Sequence, residues 1–118
     1  MHSYGPDDFY RQFGVSRETI GVLMEYVSLL IRWQKTVNLV GSGTLEDVWR
    51  RHIMDSAQIY QLLEKPGYLF DLGSGGGFPG AVLSIMGYPN VKLIESNERK
   101  CSFLECLTND LGLGAEVI

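Results

Sequence analysis

The sequence predicts an α/β fold: a parallel, doubly wound sheet preceded by N-terminal helices. Two stretches, from Ser16 to about Val37 and from Thr44 to about Glu64, repeat apolar residues at helical spacing. After Pro66-Gly67 short apolar runs alternate with helical ones, the pattern of β/α units joined by right-handed crossovers. The first of these strands runs straight into a glycine cluster, Gly73 to Gly80. The chain therefore divides into a helical segment, 1–66, that packs on the sheet, and the first part of a sheet domain, 67–118.

Residues 1–15 are turn-rich, with Gly5, Pro6, Asp7, Asp8 and Gly14, and read as a short lead-in. Ser16 is a helix N-cap with Glu18 in the first turn, and Ile20, Leu23, Met24, Val27, Leu30 and Ile31 form one apolar stripe. Gly41-Ser42-Gly43 make a loop, and Thr44 caps a second helix with Asp47 three residues on. That helix carries Leu45, Val48, Trp49, His52, Ile59, Leu62 and Leu63, and Pro66-Gly67 stop it. Tyr68–Leu72 reads as a buried strand, Gly73–Gly77 as a loop, and Pro79–Met86 as a helix with proline in its first turn. Gly87–Asn90 is a turn, Val91–Ser96 a second strand, Glu98–Leu111 a helix closed by Gly112, and Ala115–Ile118 the start of a third strand.

Composition narrows the function. With 118 residues, 45% hydrophobic and 20% charged, the chain holds about one domain's worth of sequence and is not a disordered tail. A formal net charge of −4 excludes a polycation that coats nucleic acid, so any RNA contact is local. No apolar run approaches the roughly 20 residues of a membrane span, and the start lacks the basic-then-apolar order of a signal peptide. The expectation is a soluble, cytoplasmic protein. Cys101 and Cys106 point to different faces of one helix, and read as reduced, buried small residues rather than a disulfide or metal pair. A reactive thiolate favoured by Arg99 and Lys100 is the alternative.

The chemistry lies in Phe70-Asp71-Leu72-Gly73-Ser74-Gly75-Gly76-Gly77-Phe78-Pro79-Gly80. Glycines at a strand-to-helix turn permit positive φ and let a ligand lie on bare backbone, with free N–H groups at the helix start. Gly75-x-Gly77-x-x-Gly80 satisfies the dinucleotide fingerprint, and Glu95 follows twenty residues after Gly75, where a ribose-binding acid belongs. Asp71 argues otherwise. A carboxylate at the tip of the first strand opposes a pyrophosphate and favours a ligand with an ammonium and a sulfonium, as in S-adenosyl-L-methionine. Glu95 can accept from the ribose diol of either cofactor. The plainer alternatives are that Asp71 caps the turn backbone and that Glu95 is a solvated strand-end charge.

The segment from Asp71 to Gly80 resembles the cofactor loop of the glucose-inhibited division protein B family, bacterial methyltransferases of small-subunit ribosomal RNA. Further segments agree: Trp33 with Asn38-Leu39, Arg51-His52-Ile53-Met54-Asp55-Ser56, and Leu93-Ile94-Glu95-Ser96-Asn97 with Lys100 and Phe103-Leu104. Val40 stands where the family usually has Thr, which leaves open any hydrogen bond that Thr makes, and Glu95 stands where Asp is common. The resemblance, over about residues 20–111, implies a Rossmann-like S-adenosylmethionine-dependent methyltransferase fold. It also implies methyl transfer to N7 of a guanosine in 16S rRNA, with 16S rRNA or the 30S subunit as the partner of a monomer. N7 carries an in-plane lone pair and the donor leaves as a neutral thioether, so in-line positioning suffices and no catalytic acid, base or metal is expected. By motif position Gly73 and Phe78 are cofactor contacts; the loop chemistry adds Asp71, Ser74, Gly75, Gly77 and Glu95.

His52, Asp55 and Ser56 fall at i, i+3 and i+4 and read as a polar seam locking the helices onto the cofactor domain. Alternatively, His52 with Arg51 borders the RNA or cofactor entrance. Arg32, Lys35, Arg50 and Arg51 outnumber Glu46 and Asp47 around Trp33 and Trp49, a pattern compatible with RNA contact, although burial of both tryptophans is the stronger reading. His2 at the terminus and His52 are too few for a metal site. The rival functions are an NAD(P)-dependent oxidoreductase using the glycine loop and a non-enzymatic cofactor-fold module that binds the ribosome. A methyltransferase sheet has more strands than this chain offers, so the chain reads as truncated, with further cofactor and RNA-binding residues missing and activity alone weak or absent. Asp71→Ala is expected to weaken cofactor binding with little loss of fold.

Overall fold

The computed structural model describes residues 3–64 and 67–118; the expected helix stop at Pro66 and the terminal His2 lie outside the described residues. The beginning of the chain is more regular than its composition implies. Pro6–Phe13 is a helix, α1, and the supposed turn residues are its caps. Asp8 Oδ2 accepts from the Gly5 N–H at 2.8 Å, Pro6 occupies the first turn, where no N–H donor is required, and Gly14 closes the helix with φ 64°. Phe9 is fully buried, its ring 4.5 Å from Phe13 and edge-on to Trp49 at 5.9 Å.

Helix α2 spans Arg17–Gln34 and begins as expected, with Ser16 Oγ accepting from the Thr19 N–H at 3.1 Å. It stops before Val37, where the N–H groups of Thr36 and Val37 share the Trp33 carbonyl at 3.0 and 2.9 Å, and the Gln34 side chain then holds the loop that follows. Gln34 Oε1 accepts from the N–H groups of Leu39 and Val40 at 2.9 and 3.1 Å, and its Nε2 donates to the Val40 carbonyl at 3.1 Å. Val40 is therefore held through its backbone, with no need of a side-chain hydroxyl.

The second predicted helix is helical but irregular. A 3₁₀ turn (Thr44–Asp47) leads to a π-helical stretch (Trp49–Met54), one α-helical turn, α3 (Asp55–Ala57), and a further 3₁₀ turn (Gln58–Leu62). Thr44 is not its N-cap: Gly43 precedes the turn with φ 86°, and the Thr44 hydroxyl donates to the Gly41 carbonyl at 2.6 Å. The wider π winding changes side-chain phase, so the expected polar seam does not form. Asp55 is exposed, Ser56 buried and His52 half-buried.

Strands β1 (Leu69–Leu72), β2 (Val91–Ile94) and β3 (Glu116–Val117) form a parallel sheet in the order β1-β2-β3. Asp71 lies opposite Leu93, and Leu93 opposite Val117. The crossovers are α4 (Gly80–Ile85) and α5 (Glu98–Leu111), and both touch α2. Helices thus cover one side of the sheet. Val91 and Leu93 enter a cluster with Tyr26, Leu30, Val82 and Phe103, drawn from the helical segment and the sheet alike. Because side chains alternate along a strand, the other side is left open: Phe70 is 58% and Leu72 75% exposed. The first strand, expected to be buried, is buried on one face only. No helix among the described residues is long and apolar enough to cross a membrane.

Candidate cofactor site

The loop between β1 and α4 contains glycines of two kinds. At Gly77, with φ 95°, an added Cβ would lie 2.5 Å from the Tyr26 hydroxyl; at Gly80 it would lie 2.5 Å from Leu93 Cδ2 and 2.8 Å from Asp71 Oδ2. These two are required by packing from beneath. Gly73, with φ 70°, is exposed and has nothing within 4 Å of such a Cβ, so its backbone is the open part of the loop. Ser74 is buried and donates its hydroxyl to the Asp71 carbonyl at 2.9 Å.

Both predicted acids are engaged with this loop. Asp71 is buried, and its Oδ2 accepts from the Gly80 N–H at 3.0 Å, across the start of α4. Burial pushes its pKa upward, opposed by the Gly80 N–H and reinforced by the charge of Glu95. Glu95, just beyond β2, accepts from the Gly75 N–H through Oε1 at 2.8 Å and from the Asn97 N–H through Oε2 at 3.0 Å. The Asn97 N–H, followed by that of Gly75 and the charge of Lys100, lowers its pKa against the effect of burial. Asp71 does cap the turn, then, and Glu95 is more than a solvated charge: it ties the end of β2 to the loop.

At the helix start after the glycines, the first two N–H groups are already engaged within the chain. The N–H of Gly80 goes to Asp71 and that of Ala81 to the Gly77 carbonyl at 2.7 Å, while those of Gly73 and Ser74 share the Ile94 carbonyl at 2.8 and 3.1 Å. The first turn of α4 thus offers an anion fewer donors than an open helix N-terminus does.

Residues of the helical segment complete the site, and the sequence did not single out the most important of them. Tyr26, fully buried, donates its hydroxyl to the Gly76 carbonyl at 2.6 Å and stacks on Phe78, with ring centroids 5.3 Å apart and planes 18° from parallel. His52 stacks on Phe78 at 4.9 Å and 25°, and its Nε2 lies 2.8 Å from Thr44 Oγ1. The Leu39 carbonyl and the Val40 side chain lie close beneath Gly76. The signal for Tyr26 was its place on the apolar stripe of α2, where one hydroxyl among aliphatic residues marks a buried hydrogen bond.

The remaining candidates fall outside this site. Trp33 is half-buried and packs edge-on against Phe103 at 5.7 Å, whereas Trp49 is buried against Phe9 and is not presented for base stacking. Cys101 and Cys106 are free and only half-buried, not core residues. Partial burial and nearby carboxylates push both thiols up in pKa, which disfavours the thiolate. Among the described residues no three His, Cys, Asp or Glu side chains gather as a metal-binding group.

A parallel sheet, a glycine loop after its first strand, an acid after its second and helices ahead of both define the Rossmann-like methyltransferase class of fold. The particular family follows from comparison: residues 19–118 match the GidB model, described as rRNA small subunit methyltransferase G. A protein of Rhodospirillum centenum named ribosomal RNA small subunit methyltransferase G is 51% identical over 116 residues, 98% of this chain and 54% of that protein. Proteins of the same name from Paramagnetospirillum magneticum and Rhodospirillum rubrum are 50% identical over 101 residues and 52% over 100, covering 85% and 84% of this chain and 49% and 50% of theirs. The chain belongs to the GidB family. It spans about half the length of these relatives.

Proposed function

We propose that the protein binds S-adenosyl-L-methionine at the glycine loop and serves methyl transfer to N7 of a guanosine in 16S rRNA, acting as a cytoplasmic monomer on the rRNA or the 30S subunit. The observation that carries this reading is the Asp71 carboxylate on the Gly80 N–H at 3.0 Å. A dinucleotide pyrophosphate requires free donors at that helix start. Here a buried acid fills the position and the next N–H is taken, so an anion would meet the repulsion of Asp71 and lose the first two donors of the helix. An ammonium and a sulfonium would meet attraction. The Glu95 oxygens each accept one backbone N–H and keep lone pairs for a ribose hydroxyl. This donor set fits S-adenosyl-L-methionine better than NAD.

When bound, that cofactor supplies an electrophilic methyl group on sulfur. The residues of this chain bind and orient it: Gly73 offers open backbone, Gly75, Gly77 and Ser74 hold the loop in shape, and Phe78 forms a wall. Asp71 favours the cationic end and Glu95 the ribose. N7 needs no deprotonation to attack, so no side chain has to take up a proton. The names of the relatives support rRNA as the methyl acceptor.

Calorimetric titration with S-adenosylhomocysteine, NAD and NADP tests the reading. Binding of S-adenosylhomocysteine without a response to either nicotinamide cofactor is expected; tight NAD binding with no response to S-adenosylhomocysteine overturns it. Ribosome binding by a chain that ignores all three favours the non-enzymatic module. Mapping of methylation on naked rRNA and on 30S subunits separates the two acceptors.

A further inference from the structure

We propose that His52 recognises the methyl-accepting base, its ring extending the aromatic column beside the cofactor loop and its Nδ1 accepting a hydrogen bond from guanine N1–H. The proposal rests on the methyl-transfer reading above. Its first support is the column itself. Tyr26 is sealed in the core, Phe78 stacks on it, and His52 stacks on Phe78 and is half-exposed, so the three rings lead from the core to a surface beside the glycine loop.

The second support is a fixed tautomer. The Thr44 hydroxyl donates to the Gly41 carbonyl at 2.6 Å, and a carbonyl can only accept. Thr44 has no second proton to give, so His52 Nε2, 2.8 Å away, is the donor in that contact. Partial burial, followed by the charge of Arg51, lowers the His52 pKa against the opposing charge of Asp55, so the neutral ring is favoured at neutral pH. In the neutral ring Nδ1 then carries a lone pair. It has no hydrogen-bond partner among the described residues, and no described side-chain nitrogen or oxygen that is sealed from solvent lacks one, so Nδ1 is open to solvent.

Placement and chemistry select the base over the cofactor. Glu95 assigns the ribose to the end of β2, which directs the methyl-bearing end toward β1 and Phe78, the ring that His52 covers. In the reaction N7 donates its lone pair to form the N7–CH₃ bond, and the S–CH₃ bond breaks with its electron pair left on sulfur. The guanine becomes a cation, so its N1–H becomes a stronger donor. An acceptor at N1 therefore gains strength on the way to the transition state, whereas a protonated imidazole would oppose the developing charge.

The test uses the chain saturated with S-adenosylhomocysteine and two RNA hairpins, one with an unpaired guanosine and one with N1-methylguanosine at that position, read by fluorescence anisotropy. The unsubstituted chain is expected to prefer guanosine by about tenfold, the value of one hydrogen bond. His52→Phe keeps a ring on Phe78 and is expected to bind both hairpins alike. His52→Gln keeps a donor for Thr44 and serves as the folding control by circular dichroism. No discrimination by the unsubstituted chain, or equal discrimination by His52→Phe, overturns the assignment. If S-adenosylhomocysteine still binds, only the role of His52 falls; if it does not, the methyl-transfer reading falls as well.

Discussion

The hydroxyl of Tyr26 donates to the carbonyl of Gly76 at 2.6 Å, across fifty residues of chain, and through this bond the helical segment holds the glycine loop. Burial, with the charge of Asp71 adding to it, raises the Tyr26 pKa well above its usual value, so the phenol remains a donor. Tyr26→Phe keeps the ring on Phe78 and removes only the hydroxyl. It leaves a buried carbonyl without its donor, and we expect a loss of about 1–3 kcal/mol in urea unfolding together with weaker S-adenosylhomocysteine binding. Unchanged stability would mean that Gly76 finds another partner.

The two kinds of loop glycine separate folding from binding. Gly77→Ala places a methyl against the Tyr26 hydroxyl in a left-handed backbone, and it should lower both the thermal midpoint and cofactor affinity. Gly73→Ala meets nothing within 4 Å. It should lose only the left-handed backbone term, about 1–2 kcal/mol, while binding falls sharply. Parallel melting and calorimetry on the two variants check the contrast; equal effects on binding with equal effects on stability would refute it.

Asp71→Ala can no longer be expected to spare the fold. Its carboxylate satisfies the buried Gly80 N–H, and removing it should destabilise the chain by about 1–3 kcal/mol. Asp71→Asn retains an acceptor for that N–H and loses the charge. It should stay closer to the parent in stability yet bind S-adenosylhomocysteine more weakly, which calorimetry on the folded variant measures.

The sheet predicts opposite outcomes for neighbouring leucines. Leu93 is fully buried under the helices, so Leu93→Ala should cost about 2–5 kcal/mol. Leu72, 75% exposed on the other face, should tolerate alanine within about 0.5 kcal/mol. Denaturant unfolding of both variants distinguishes the covered face from the open one.

His52 and Asp71 contribute to the pH dependence with opposite sign. For His52 the folded pKa lies below 6.5, so the unfolded chain binds more protons; this contribution is complete above pH 6.5 and is lost as pH falls through the folded value. Asp71 is raised above 3.8 on folding, so its contribution is present below that value and is lost as pH rises through the folded pKa. The stability of the parent relative to His52→Gln should increase as pH rises from 5 to 7.5, because only the His52 contribution differs between them; denaturant unfolding of both across that range checks it.

Much of this architecture is written locally. Apolar spacing in 16–37, the Ser16 cap, the alternation of strand and helix after residue 67 and the glycine loop were all legible because each reflects hydrogen bonding among near neighbours. The candidate site residues were legible for the same reason, since a glycine turn with flanking acids is a contiguous motif. Tertiary structure decided the rest. Gly5, Pro6 and Gly14 became helix caps because Phe9 has a core to enter, and the π winding around His52 set which polar side chain meets Phe78. Asp71 turned beneath the loop toward Gly80, and Tyr26 met Gly76 across fifty residues. A two-residue strand period shows that faces alternate but not which face the helices cover; only crossovers packed on α2 bury Leu93 and leave Leu72 exposed. Long-range partners are selected by which surfaces close together, and no local period encodes that selection.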